Sequence, residues 1–298
     1  MNAASGGFMA NSTQVFVPGS LQELFSIWKR LKYAVIYAGG VEFIRNQDKR
    51  IPVLPQNIIS LAKLEELRKI GRTERYLEIG AMAKMNQIIH LGKIVPDALL
   101  RCLQSIEGPQ LRSLATIGGN LCNPFRRLDA SAPMIALDAQ YELKTAQSSR
   151  WISAARFASL PGPPVLASQE LLTRIRIPLE PWTYTWYRKF KNPGPDEPGG
   201  AILLIVKIQK NILTDIRVIY SGLIILREKN SETMLAGKHL PLERKETRLF
   251  LDKWKAYLSV FEGIEKSVFP GEGDLFNPGL AKEQILSFIE TTLMHISE

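Results

Sequence analysis

Two diglycines interrupt apolar stretches of the chain, Gly39-Gly40 within Tyr37-Ala38-Gly39-Gly40-Val41-Glu42-Phe43 and Gly118-Gly119 within Ala115-Thr116-Ile117-Gly118-Gly119-Asn120. Each pair lets the backbone turn through positive φ and leaves consecutive amides without a covering Cβ, which is how a chain builds an anion-binding nest. The first pair ends Ala34-Val35-Ile36-Tyr37-Ala38, a buried-strand pattern. In the second, Thr116 and Asn120 flank the glycines with a hydroxyl and an amide. Two such loops arriving from different strands can hold both halves of a pyrophosphate. The plainer alternative is a turn or bulge after a strand, and neither loop has the glycine spacing of a Rossmann or P-loop motif.

Around these pairs the chain alternates. Val15-Phe16-Val17-Pro18 is β-like, and Ser20 can cap a helix whose apolar positions Leu21, Leu24, Phe25, Trp28 and Leu31 follow a helical period. A Pro-punctuated segment from Arg50 to Ile59, an amphipathic stretch from Leu61 to Ile70 and a strand at Tyr76 to Ala81 follow. Met85 to Ser105 is helical with a break at Pro96, Ala130 to Leu137 is helical, and Ala139 to Lys144 and Leu171 to Ile177 are strands. Leu160-Pro161-Gly162-Pro163-Pro164 and Asn192 to Gly200 read as loops. Beyond them, strand-like runs (Ala201 to Ile208, Ile212 to Ile219, Leu223 to Leu226) precede helices at Leu249 to Phe261 and Leu280 to Met294. That order marks a separate α+β domain from about residue 179. Asp129, just before the helical Ala130 to Leu137, is either a helix N-cap or a carboxylate placed to accept from a ribose hydroxyl.

Bulk properties narrow the function classes. A net charge of +9 suits an anionic cofactor, an acidic partner, nucleic acid or an anionic surface, but the basic residues are dispersed and no RNA or zinc-finger motif accompanies them. Cys102 and Cys122 are the only cysteines, too few for a disulfide framework or an iron–sulfur centre, and a reducing cytoplasm is the natural setting. No apolar run approaches the roughly 18 residues of a membrane span, and residues 1–14 read as a loose tail rather than a signal peptide. His90, His239 and His295 are too scattered to propose as metal ligands.

The run Gly108-Pro109-Gln110-Leu111-Arg112-Ser113-Leu114-Ala115-Thr116-Ile117-Gly118-Gly119-Asn120-Leu121-Cys122-Asn123-Pro124, with Asp129 beyond it, resembles the signature of FAD-binding subunits of the xanthine dehydrogenase and carbon monoxide dehydrogenase family. Val17-Pro18-Gly19-Ser20-Leu21, Ala38-Gly39-Gly40 and Leu235-Ala236-Gly237-Lys238 extend the likeness over nearly the whole chain. The resemblance implies an α+β fold: a two-lobed FAD-binding domain of the vanillyl-alcohol-oxidase-like (PCMH) type followed by a smaller α+β C-terminal domain. The division is a tail (1–14), a FAD-binding domain (15–178, lobes 15–59 and 60–178) and a C-terminal domain (179–298). It also implies that Ala38, Gly39, Gly40, Val41, Glu42 and Phe43, with Ala115, Thr116, Gly118, Gly119 and Asn120, cradle the pyrophosphate of FAD. Asp129 would bind a ribitol or ribose hydroxyl, and Ile106 and Leu172 would make apolar ring contacts, although Ile106 would serve a core as readily. Lys189 would lie near the flavin, while an exposed lysine beside aromatics is common on any strand.

The implied partners are a molybdopterin-binding large subunit and a 2Fe–2S small subunit. Electrons would pass from the clusters through FAD to NAD⁺ or another acceptor. Flavin chemistry asks little acid–base help from protein groups, which suits a sequence without a triad or paired carboxylates. Two departures from the family pattern stand out: Val41 replaces the usual Thr, Ser or His, and Lys191-Asn192-Pro193-Gly194-Pro195-Asp196 replaces an arginine-containing stretch. The competing readings are a self-sufficient flavin oxidoreductase of the same fold and a scaffold subunit without flavin.

Overall fold

A computed structural model describes residues 12–31, 33–45, 54–106, 108–124, 129–158, 164–191, 198–222, 224–268 and 278–297. Most of the tail, Arg126-Arg127, most of the Leu160 to Pro164 loop and the replaced stretch from Asn192 to Asp196 lie outside the described residues.

The chain begins with β1 (Gln14–Phe16), α1 (Leu21–Arg30), β2 (Val35–Tyr37), α2 (Val41–Arg45) and β3 (Asn57–Ser60). The strands form a parallel sheet in the order β1-β3-β2. Ser20 starts α1 as expected: its Oγ accepts from the Glu23 amide at 3.2 Å while Glu23 Oε2 accepts from the Gly19 amide at 2.7 Å, so two otherwise orphaned donors are satisfied. The helix buries Leu24, Phe25 and Ile27 against Ile59, Leu64 and Leu67. Because the strands run parallel, β2 and β3 end at the same edge of the sheet. In open α/β sheets that edge is where ligands bind.

The second unit contains β4 (Ile70–Arg72), β5 (Tyr76–Gly80), α3 (Met85–His90), α4 (Asp97–Gln104), α5 (Pro109–Leu114), α6 (Ile117–Leu121) and α7 (Ser131–Ala136). It continues with β6 (Gln140–Lys144), β7 (Ser149–Ser153), α8 (Ala154–Phe157) and β8 (Leu171–Pro178). Its sheet is antiparallel throughout, in the order β4-β5-β8-β6-β7. Leu77, Ile79, Tyr141, Leu143, Ile175 and Ile177 point from it into a core covered by helices. The alternate residues face outward as a charged lattice in which Arg174 meets Glu78 and Glu142, and the Arg176 guanidinium lies 4.4 Å from the Trp151 ring centre.

The third unit holds β9 (Tyr184–Lys191), β10 (Pro198–Gln209), β11 (Ile212–Ser221), β12 (Ile225–Leu226), α9 (Lys229–Leu235), β13 (Lys238–His239), α10 (Arg244–Val268) and α11 (Pro278–Ser297). Strand order is β12-β11-β10-β9, with β13 also on β11. The β10–β11 hairpin turns through Lys210 and Asn211 at φ 51° and 59°, the two consecutive left-handed residues that suit a tight hairpin twist. β10 is apolar on both faces for a physical reason. Leu203 and Ile205 join the core of the second unit, while Ile202, Leu204 and Val206 pack in a separate core with Phe250, Trp254, Ile289 and Leu293 of the helices. The strand expected at Leu223 to Leu226 is shorter, being Ile225–Leu226 among the described residues. Both C-terminal helices run longer than their apolar periodicity indicated.

Candidate cofactor site

The first glycine pair lies just past the last paired residue of β2, since the ladder ends at Tyr37 opposite Ser60. Gly40 has φ 75°, a conformation that a side chain would strain. Gly39 is required for a different reason: a Cβ there would stand 2.3 Å from the Leu114 carbonyl oxygen and 3.2 Å from the Thr116 amide nitrogen. The two glycine segments therefore touch, although they are far apart in sequence. Residues Ala38 through Phe43 are all half-buried. Val41, Glu42 and Phe43 begin α2, and the Phe43 ring meets Tyr37 edge-on at 5.9 Å. The Asn123 side-chain amide donates to Glu42 Oε2 at 3.3 Å, a second tie between the segments.

The second pair departs from expectation. Gly118 and Gly119 do not follow a strand; they form the first turn of α6, and most of their amides are not bare. Ile117 N–H donates to Ala83 O at 3.0 Å, Gly118 N–H to Ala81 O at 2.8 Å and Asn120 N–H to Thr116 O at 3.0 Å. Thr116 caps the helix, its hydroxyl accepting from the Gly119 amide at 3.2 Å. A Cβ on Gly118 would stand 2.7 Å from Ala81 Cβ and 2.8 Å from Ala81 O, so that glycine serves close packing. Gly119 differs: it is exposed, its amide is held only by a hydroxyl, and its Cβ would stand 4.0 Å from Ala38 Cβ across the gap. Ala115, half-buried, donates to Leu111 O at 2.7 Å.

Asn120 turns inward. Its side chain is buried, and Oδ1 accepts from the Ala130 amide at 3.1 Å, bracing the entry to α7. Asp129 is therefore not the N-cap of that helix; Ala130 occupies the position and makes no side-chain cap. Asp129 Oδ1 instead stands 2.7 Å from Lys189 Nζ on β9, so two residues named separately from the sequence form one half-buried ion pair. Beneath it, burial pushes the Cys102 thiol and the Tyr187 phenol well above their ordinary values, so both stay protonated. Ile106 and Leu172 are 9% and 3% exposed, and both belong to the core of the second unit.

Lys84 was not singled out in the sequence, where a lone lysine before a helix carries no signal. It pairs with Thr116 in an isolated antiparallel bridge, and its Nζ donates to Leu114 O at 2.7 Å, the oxygen that Gly39 packs against. Burial and the neighbouring Arg68 guanidinium lower its proton affinity.

A small parallel lobe and a larger antiparallel lobe, meeting through two glycine segments, make a two-lobed dinucleotide-binding architecture. The residues present fit the diphosphate of FAD, because glycine alone leaves the space between Ala38 and Gly119 clear. The family model described as FAD binding domain in molybdopterin dehydrogenase matches residues 11–180, and the chain belongs to that family. It is thus an oxidoreductase component whose cofactor is FAD.

Among curated proteins, the glyceraldehyde dehydrogenase medium chain of Sulfolobus acidocaldarius is 26% identical over 205 residues, covering 68% of this chain and 73% of the relative. The xanthine dehydrogenase FAD-binding subunit of Escherichia coli O157:H7 is 31% identical over 139 residues, covering 46% of this chain and 48% of its own length. The fold matches that of quinoline 2-oxidoreductase from Pseudomonas putida 86, with TM-score 0.78 and 17% identity over 96% of this chain and 97% of the other. Carbon monoxide dehydrogenase from Hydrogenophaga pseudoflava also gives TM-score 0.78, with 21% identity over 96% and 98%. These likenesses bear out the α+β FAD-binding fold that the resemblance implied. Among the described residues, no helix is long and apolar enough to cross a membrane.

Proposed function

We propose that this chain is the flavin-carrying, electron-relaying subunit of a molybdenum hydroxylase, working in the cytoplasm beside a molybdopterin-binding large subunit and a 2Fe–2S small subunit. Bound FAD would take electrons from the clusters of the small subunit and release them to NAD⁺ or another acceptor. The names of the relatives, medium chains and FAD-binding subunits, support this division of labour. The observation that carries the reading is the contact between Gly39 and the Leu114 to Thr116 backbone, which brings both glycine segments to one place.

In this reading the protein's own groups bind and orient. Backbone from Ala38 to Phe43 and the Gly119 amide would face the diphosphate, with Ala115, Thr116, Gly118 and Asn120 holding that backbone in place. Asp129 would accept from a ribitol or ribose hydroxyl, steered by Lys189, and the core residues Ile106 and Leu172 would back the ring. The proposed organisation keeps residues 15–59 and 60–178 as the two lobes of the FAD-binding domain and 179–298 as the C-terminal domain.

The test is flavin uptake. Adding FAD to flavin-free protein should give a stoichiometric flavin spectrum, and FAD at about a hundredfold excess over its dissociation constant should stabilise the fold by about 2.7 kcal/mol. Folded protein that takes up no flavin and shows no shift in unfolding would favour a scaffold subunit instead.

A further inference from the structure

Resting on the FAD reading above, we propose that Lys84, with Arg68 behind it, is the cationic arm of the diphosphate site.

Position is the first support. Residues 83 to 85 are stitched to the second glycine segment, with Ile117 N–H on Ala83 O at 3.0 Å and Met85 N–H on Ala115 O at 3.1 Å. That pairing fixes the Lys84 backbone, and the bond from Nζ to Leu114 O at 2.7 Å carries the ammonium to the seam where Gly39 meets the same oxygen. Arg68 stands near enough to Lys84 to act on its charge. Its Nη2 donates at 2.6 Å to Ala62 O, just beyond the end of β3, on the edge that also carries Gly39-Gly40.

Charge is the second support. An ammonium has three donors, and one carbonyl satisfies only one of them. The charged group acting on Lys84 is another cation, Arg68, so its surroundings disfavour the charge rather than neutralise it. Among the described residues Arg68 pairs with Glu65 at 3.7 Å, whose side chain is 76% exposed and therefore screens weakly. Two half-buried cations whose one acid partner among the described residues is the exposed Glu65 are stable only beside an anion or at a cost to the fold. A diphosphate at this seam supplies the missing charge, with oxygens that accept from an ammonium as point donor and from a guanidinium fork.

Sequence is the third. Val41, next to Gly40, has an aliphatic side chain and offers an anion only its backbone amide, so a cationic contact has to come from another residue, and Lys84 is fixed to the Leu114 oxygen that Gly39 packs against.

The test uses the full chain, FAD, and inorganic pyrophosphate as a competitor. Lys84→Gln keeps a donor for Leu114 O but removes the charge, whereas Lys84→Arg keeps the charge. Lys84→Gln should weaken FAD about tenfold or more, as expected for a lost charge-assisted hydrogen bond, with a melting temperature near that of the unaltered chain. Pyrophosphate should displace FAD from the unaltered protein and from Lys84→Arg at lower concentrations than an uncharged phosphate-free analogue of similar size. Affinity in Lys84→Gln should also depend less steeply on salt.

Equal FAD affinity and salt dependence in Lys84→Gln and the unaltered chain would overturn the assignment while leaving the FAD reading intact. An unaltered chain that binds no FAD would overturn both. If Lys84→Gln does not fold, Arg68→Gln gives the same reading, and unchanged FAD affinity there would count against the cationic arm.

Discussion

At Gly39-Gly40 the chain leaves a strand; at Gly118-Gly119 it enters a helix. The first pair needs glycine twice over, once for a left-handed φ and once for a backbone contact with Leu114. The second divides its duties, Gly118 for packing on Ala81 and Gly119 for an open surface toward Ala38. Identical dipeptides thus answer to different constraints, and adding one methyl group at a time separates folding from binding.

The largest effect is expected from Gly39→Ala. Its methyl would strike a carbonyl oxygen at 2.3 Å, and only backbone movement relieves that. Urea unfolding should show a loss of about 3 kcal/mol, the upper end of overpacking costs, together with loss of FAD. A stable, flavin-loaded Gly39→Ala would break the claim that the two segments touch.

Gly118→Ala comes next, at about 2 kcal/mol, because its clash at 2.7 Å involves the small Ala81 side chain as well as the oxygen at 2.8 Å. FAD affinity measured in the surviving folded fraction should change little, and a selective loss of FAD there would move Gly118 from packing to binding.

The smallest stability effect belongs to Gly119→Ala. Replacing a helical glycine contributes about 0.5 to 1 kcal/mol, offset by a contact with Thr116 Oγ1 at 2.9 Å, so unfolding should shift by less than about 1 kcal/mol. FAD affinity should nonetheless fall about tenfold, as titration by flavin fluorescence would show. Equal stability losses at positions 118 and 119 would erase the division of duties.

Much of this site was legible in the sequence because its signals are local. Ser20 before an apolar helical period specifies a helix start, and an apolar run ending in Gly39-Gly40 specifies a strand end. The resemblance carried by residues 108 to 124 pointed to the cofactor. What could not be read depends on partners distant in the chain. Glycine disfavours helix by about 1 kcal/mol per residue, so Ile117–Leu121 reads as a loop; the Ala81 and Ala83 carbonyls that anchor it come from another segment. Of the two readings open for Asp129, the cap fails because the braced amide belongs to Ala130, and the bracing group comes from Asn120. Lys84 meets Leu114 thirty residues away, a relation that only the fold creates.

The two-faced strand β10 has a consequence for evolution and engineering. Leu203 and Ile205, with Ile219 of the neighbouring β11, fill the interior of the flavin-carrying half from a region that lies outside residues 11–180. The recognisable module therefore borrows part of its inside from its neighbour. Excised at its sequence boundary, it would present a raw apolar flank to water, so the two parts must be inherited, and transplanted, together.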